Sequence, residues 1–240
     1  PARVEKHDLD QDHGHIVHHP GAAELSWWID NHPMRHMSQK RILALAVTGG
    51  LALAASLTVA APALNGDPAR GKTLATETCA GCHGVDGNSE TTTYPKLAGQ
   101  HAVYLLKELQ AYRTEHRISE IMMPMTASLS EQDMADLALY YAGQKPRPAE
   151  VSKPELIALG KRIYLEGNTR SGVPSCDGCH EEDGSGSAKF PRVAGQHVDY
   201  TLEELKRYAS GKRNYGTKIM RTVAERLTPE EAEAVAQYMA

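Results

Sequence analysis

Apolar and polar positions change character three times along the chain. Residues 1–36 carry no periodic apolar pattern and hold His7, His13, His15, His18, His19, His32 and His36. Clustered histidines can bind transition metals, but a polar stretch without core-forming periodicity reads first as a disordered tail. Lys40-Arg41 then precede an uncharged run from Ile42 to Leu64. As a helix rising about 1.5 Å per residue, that run is long enough to cross the roughly 30 Å hydrocarbon core of a bilayer. From Asp67 onward the pattern breaks into short amphipathic segments with helix-start and helix-stop signals.

Those signals place helices in pairs. Asp67-Pro68 reads as an N-cap with proline at the first helical position, and Ser152-Lys153-Pro154-Glu155 opens a counterpart. Ser130 with Asp133, and Thr228 with Glu231, have capping-box spacing, with Pro229 at the first helical position. Behind these caps, Leu137, Ala138 and Tyr141 form a helical stripe matched by Val235, Ala236 and Met239. Gly143 to Pro154 contains Pro146, Pro148 and Pro154 and reads as a linker. The layout expected is a tail (1–36), a signal peptide or membrane anchor (37–64), a first lobe (65–145), a linker (146–154) and a second lobe (155–240).

The two lobes are a direct repeat. Tyr94-Pro95-Lys96-Leu97-Ala98-Gly99-Gln100-His101 matches Phe190-Pro191-Arg192-Val193-Ala194-Gly195-Gln196-His197 at an offset of 96. The following helix repeats as well, with Tyr104, Leu109 and Tyr112 matched by Tyr200, Leu205 and Tyr208. Farther on, Leu129-Ser130 matches Leu227-Thr228 at an offset of 98, so lobe two has gained two residues. A repeat of this length is a duplicated domain.

The chemistry sits in a motif that also occurs twice. Cys79-Ala80-Gly81-Cys82-His83 and Cys176-Asp177-Gly178-Cys179-His180 hold all four cysteines. C-x-x-C-H is the attachment sequence for c-type haem: two thiols one helical turn apart add to the vinyl groups, and the histidine supplies an axial nitrogen. A zinc ribbon needs its second cysteine pair within about 15–20 residues, far less than the separation of Cys82 and Cys176. A dithiol redox pair has no use for a histidine directly after each motif.

Composition agrees. Aromatics are only 5%, with one phenylalanine, and Trp27 and Trp28 lie outside the repeat. A lobe of roughly 80–90 residues buries a limited fraction of its surface by itself. A porphyrin hiding several hundred Å² at ~25 cal/mol per Å² adds on the order of 10 kcal/mol, so lobes lacking haem are expected to fold poorly. The net charge of −4 gives no basic stripe for nucleic acid. Residues 65–150 have a small acidic excess, suited to steering toward a basic partner or simply to a solvated surface.

Each iron needs a sixth ligand or an open site. Met220 lies seven residues before Leu227, and Met122 lies seven before Leu129. Met123 and Met125 compete, but their partners at the 98 offset are Arg221 and Val223. Matched positions select Met122 and Met220, with Met125 the main alternative. His101 and His197 are also paired, yet each starts a helix, where a histidine packs or meets solvent; His116 has no histidine counterpart. A thioether favours ferrous iron and closes the coordination sphere, the profile of an electron carrier.

The basic flank before the apolar run places the N-terminus in the cytoplasm and the lobes outside. Read from Met37, the run has the basic start and small-residue end (Ala60-Ala61-Pro62-Ala63) of a cleavable signal peptide. Read with the preceding tail, it is a membrane anchor. Both readings carry the lobes across the membrane; attachment of c-type haem outside the bacterial cytoplasmic membrane, a family expectation, places them in the periplasm, with the inner membrane as a tether when residues 42–64 are retained.

Cys79 through Ser89, Pro95 through Gln100, and the segments around Met122 and Met220 together resemble cytochrome c4, the dihaem class of bacterial c-type cytochromes. The resemblance covers roughly residues 67–240. It implies an all-α fold of two tandem cytochrome c domains, behind a single transmembrane or signal helix, with two covalently attached haem c. It implies His83, Met122, His180 and Met220 as iron ligands. It also implies that the Pro95 and Pro191 carbonyls accept hydrogen bonds from the ligand histidines. The implied role is electron delivery from a cytochrome bc complex or a dehydrogenase to a terminal oxidase. Two rival roles are a dedicated cytochrome subunit of a dehydrogenase, such as a sulfide dehydrogenase, and a dihaem peroxidase, which needs an open iron. One departure is the acidic run Glu181-Glu182-Asp183, where lobe one has Gly84-Val85-Asp86.

Overall fold

A computed structural model describes residues 64–216 and 218–240. The expected tail and all but the last residue of the apolar run lie outside the described residues. Among the described residues, no helix is long and apolar enough to cross a membrane.

Lobe one begins with α1 (Pro68–Leu74), where the Asp67 side chain accepts the Ala69 N–H at 2.8 Å and Pro68 takes the first helical position. A wider π-type turn, Ala75–Cys79, carries the chain into α2 (Ala80–His83). After a long loop come α3 (Ala102–Arg113), α4 (Met122–Ala127) and α5 (Glu131–Ala142). Lobe two repeats the order. A 3₁₀ turn (Pro154–Leu156) leads into α6 (Ile157–Glu166), then α7 (Asp177–His180), α8 (Val198–Ala209), α9 (Ile219–Arg226) and α10 (Pro229–Met239). The described residues form no strand beyond an isolated bridge between Asn168 and Val173. Both capping boxes form, Ser130 with Asp133 and Thr228 with Glu231.

The first and last helices of each lobe cross at a glycine: α1 packs on α5, and α6 on α10. A Cβ placed on Gly71 would lie 2.1 Å from the Asp136 carbonyl oxygen, and one on Gly160 would lie 2.0 Å from that of Ala234. No side chain fits there, so the backbones touch and the two ends of each lobe close over its core. Ala75, Leu105, Leu137, Ala138, Tyr140 and Tyr141 form the core of lobe one. Ile163, Tyr164, Val173, Val223 and Val235 form that of lobe two.

The repeat is not a copy in detail. In both lobes a carbonyl just past the Cys-x-x-Cys-His helix accepts a buried tyrosine hydroxyl, though not at the same repeat position. In lobe one, Tyr140 of α5 donates to Val85 at 2.9 Å; in lobe two, Tyr164 of α6 donates to Glu181 at 2.7 Å. The donors come from opposite ends of their lobes, and the acceptors are one position apart in the repeat. Glu181 itself takes a left-handed backbone (φ 64), as Gly84 does (φ 74) at the matching position of lobe one, a conformation that strains a residue with a side chain.

The connecting segment is fastened at both ends. Asn88 accepts the Arg147 N–H at 2.8 Å and donates to the Lys145 carbonyl at 3.0 Å. Farther along, the Ala149 N–H donates to Ala240 at 2.8 Å, and Gln237 accepts from Ser152 and Lys153. It is a linker by composition but a strap by contact.

Candidate functional site

Each C-x-x-C-H motif forms a short helix that ends on its histidine, which is buried. His83 Nδ1 lies 2.9 Å from the Pro95 carbonyl, and His180 Nδ1 lies 2.9 Å from that of Pro191. A carbonyl can only accept, so Nδ1 carries the proton and Nε2 is left with its lone pair. Burial pushes both imidazoles below their ordinary pKa, against the pull of these hydrogen bonds. Neutral, oriented and unprotonated at Nε2, both are prepared to ligate a metal.

The cysteines beside them are unpaired with one another. Burial pushes the Cys79 thiol up, opposed by the neighbouring Tyr141 hydroxyl and reinforced by Cys82. Burial, with Asp177 and Cys179, pushes Cys176 up to about 11. At neutral pH both are thiols rather than thiolates.

One continuous cavity of about 710 Å³ runs through both lobes, and Cys79, Cys82, His83, Cys176 and His180 lie on its wall. Met122 and Met220 line it too, as does Met125. Met123 does not line it; its sulfur accepts the Ser119 N–H at 3.5 Å. Met125 is partly turned to solvent, 37% exposed. His101 and His197 are not on the wall, and His116 is on the surface.

The repeated Gly-Gln-His segments meet across the interface between the lobes, a role the sequence did not reveal. Gln100 accepts the Arg192 N–H at 2.9 Å and donates to the Arg192 carbonyl at 2.8 Å. Gln196 does the same to Lys96, at 2.9 and 3.0 Å. His101 Nε2 donates to the Ser185 carbonyl and His197 Nε2 to that of Ser89, both at 2.9 Å. Each lobe thus satisfies backbone groups of the other, in mirrored fashion.

Beside these bonds lies a buried ring of charge. Arg117 pairs with Glu108 at 2.5 Å and Glu204 at 2.8 Å; Arg213 pairs with Glu204 at 2.5 Å and Glu108 at 2.9 Å. Arg117 donates to the Tyr200 hydroxyl of lobe two, and Arg213 to that of Tyr104 in lobe one. Each guanidinium also stacks on a tyrosine of its own lobe, Arg117 on Tyr112 and Arg213 on Tyr208, 4.7 Å from the ring centroid. Tyr215 hydrogen-bonds Glu108 as well. Glu108 and Glu204 recur at the 96 offset, as do Arg117 and Arg213, so the repeat did carry a signal for this ring.

The donor set fits haem. Two thiols and an oriented imidazole meet the cavity in lobe one, and Cys176 and His180 meet it in lobe two, where Cys179 is not on the wall. Three buried polar atoms of residues on its wall, Tyr141 OH and the Nε of Arg192 and Arg213, have no hydrogen-bond partner among the described residues. The two arginines can donate to the carboxylates at a porphyrin edge. When bound, haem supplies a one-electron iron couple; the chain attaches it, orients the ligand imidazoles and keeps water away.

Comparison with known proteins agrees. The family model described as cytochrome c matches residues 68–143 and again 157–240. A cytochrome c4 from Thiocapsa roseopersicina is 42% identical over 178 residues, covering 72% of this chain and 92% of that protein. A thiosulfate dehydrogenase electron acceptor from Thiomonas intermedia (strain K12) is 32% identical over 206 residues, covering 84% of this chain and 90% of that one. The crystal structure of reduced recombinant cytochrome c4 from Pseudomonas stutzeri superposes with a TM-score of 0.69 at 37% identity, covering 73% of this chain and 98% of that one. With its haem-attachment motifs doubled in two helical lobes, the chain belongs to the cytochrome c family and, within it, to the cytochrome c4 electron carriers bearing two covalently bound haem c.

Proposed function

We propose that this protein carries electrons on the periplasmic side of the bacterial inner membrane, tethered there when residues 42–64 are retained. His83 and Met122 hold the iron of lobe one, and His180 and Met220 that of lobe two. The observation that carries this reading is the matched arrangement on one cavity wall: a histidine fixed through Nδ1 and a methionine at the same repeat position in both lobes. A thioether in the sixth position leaves no opening for oxygen or peroxide, so the iron exchanges electrons without bond chemistry. This speaks against a peroxidase.

The donor is a dehydrogenase or a cytochrome bc complex, and the acceptor is a terminal oxidase. The relative named as a thiosulfate dehydrogenase electron acceptor favours a dehydrogenase donor. A dedicated subunit of such an enzyme is the second reading, and stable copurification with the dehydrogenase would select it.

The ligand assignment is tested by the far-red sulfur-to-iron absorption band. Met122→Ala and Met220→Ala each remove about half of it, and Met125→Ala leaves it intact. Halving by Met125→Ala with Met122→Ala silent would move the lobe-one ligand to Met125. The donor is tested by mixing the oxidised protein with thiosulfate and purified thiosulfate dehydrogenase. Reduction that needs the enzyme supports the reading; none at all leaves the bc complex as donor.

A further inference from the structure

The peptide group between Pro95 and Lys96 is engaged at both ends. Its carbonyl accepts from His83 Nδ1 at 2.9 Å, and its N–H donates to Oε1 of Gln196, in the other lobe, at 2.9 Å. The Pro191–Arg192 peptide repeats this: its carbonyl accepts from His180 at 2.9 Å and its N–H donates to Gln100 at 2.9 Å. In both lobes, therefore, one peptide connects the proximal imidazole to a glutamine of the partner lobe. Gln100 is 8% exposed, and both glutamines line the cavity. Each is held by a second bond from its own Nε2 to the carbonyl of the same residue it braces, Lys96 or Arg192.

Hydrogen bonds in series polarise one another. An acceptor on the peptide N–H draws negative charge onto the peptide oxygen, which strengthens that oxygen's hold on the imidazole N–H. An imidazole so held is a stronger donor to iron and stabilises the ferric state.

We infer that Gln196 tunes the haem of lobe one and Gln100 the haem of lobe two, each through the peptide that orients the other lobe's ligand histidine. The glutamines are positioning residues: neither touches iron, and each acts on the lobe it does not belong to. The inference depends on His83 and His180 as ligands and is independent of which methionine completes either site. It also makes lobe docking a determinant of both potentials.

Redox titration of the holoprotein resolves two one-electron waves. Haem-methyl NMR signals with contacts to Leu105 and Leu137 identify lobe one. Gln196→Leu raises the lobe-one wave and leaves the lobe-two wave in place; Gln100→Leu does the reverse. Gln196→Met, which keeps length without an amide, repeats the first result. A shift confined to the mutated lobe, equal shifts in both, or no shift overturns the inference. Variants that fail to load haem are replaced by a reading on the unaltered protein. On exchange into deuterium oxide, the Lys96 and Arg192 amides are then among the slowest to exchange, and the two waves shift as those sites exchange. Rapid exchange at both amides overturns the inference as well.

Discussion

Arg117 of lobe one reaches Glu204 of lobe two at 2.8 Å, with both side chains largely buried. The return contact, Arg213 to Glu108 at 2.9 Å, closes a ring in which every charge has at least two opposite neighbours. Removing one member leaves buried carboxylates short of compensation, a loss of about 3 kcal/mol. Urea unfolding of the haem-loaded Arg117→Leu and Arg213→Leu variants is expected to show that loss for each. A change below about 1 kcal/mol would mean that the ring contributes little to stability.

Acid should weaken the same interface. Burial raises the Glu108 carboxyl, but Arg213 and Arg117 reverse this and hold it below the ordinary value of 4.5. A carboxylate whose pKa is depressed by folding stabilises the native state above its unfolded value and loses that contribution as pH falls through the folded one. Stability is therefore expected to drop as pH falls from 4.5 downward. Glu108→Gln should flatten that slope; an unchanged slope would place the acid sensitivity elsewhere, as at Asp136, which burial raises but Arg70, Gln132 and the Asp67 amide together lower.

The helix crossings admit no side chain. Gly160→Ala forces a methyl group against the Ala234 carbonyl, an overpacking cost of about 1–3 kcal/mol or more. Thermal unfolding should report it with haem retained in lobe one, and Gly71→Ala should act likewise on lobe one. Unaltered unfolding in either variant would show that the crossing relaxes.

The two tyrosines that reach loop carbonyls give a paired test. Tyr140→Phe and Tyr164→Phe each remove the donor to a loop carbonyl, at Val85 and Glu181 respectively. Each should cost about 1–2 kcal/mol, and hydrogen exchange should place the effect in the mutated lobe. Loss spread evenly over both lobes would contradict the separate cores.

Much of this architecture was legible before the structure. Asp67, Ser130 and Thr228 announced helix starts through local hydrogen-bond chemistry, and the two motifs announced their cofactor through thiol and imidazole spacing. Local chemistry needs only neighbouring residues. What stayed hidden depends on residues distant in sequence. The repeat showed that Gln100 and Gln196 correspond, but nothing in it said that each faces the other lobe. Glu108 and Glu204 recur in the repeat, as do Arg117 and Arg213, but spacing along one chain does not show that the four meet across the lobes. That Tyr140 and Tyr164 reach loop carbonyls from opposite ends of their lobes was hidden for a related reason. A carbonyl needs one donor, and the alignment cannot say from which helix it comes.

The central claim, two covalently held haems that pass single electrons, is tested most directly on the purified protein by haem quantitation combined with a spectroscopic redox titration. Two haems per chain that survive acid–organic extraction, low-spin iron in both oxidation states, and two one-electron waves are expected. One haem per chain, release on extraction, or a high-spin iron that binds carbon monoxide in the native protein would contradict it.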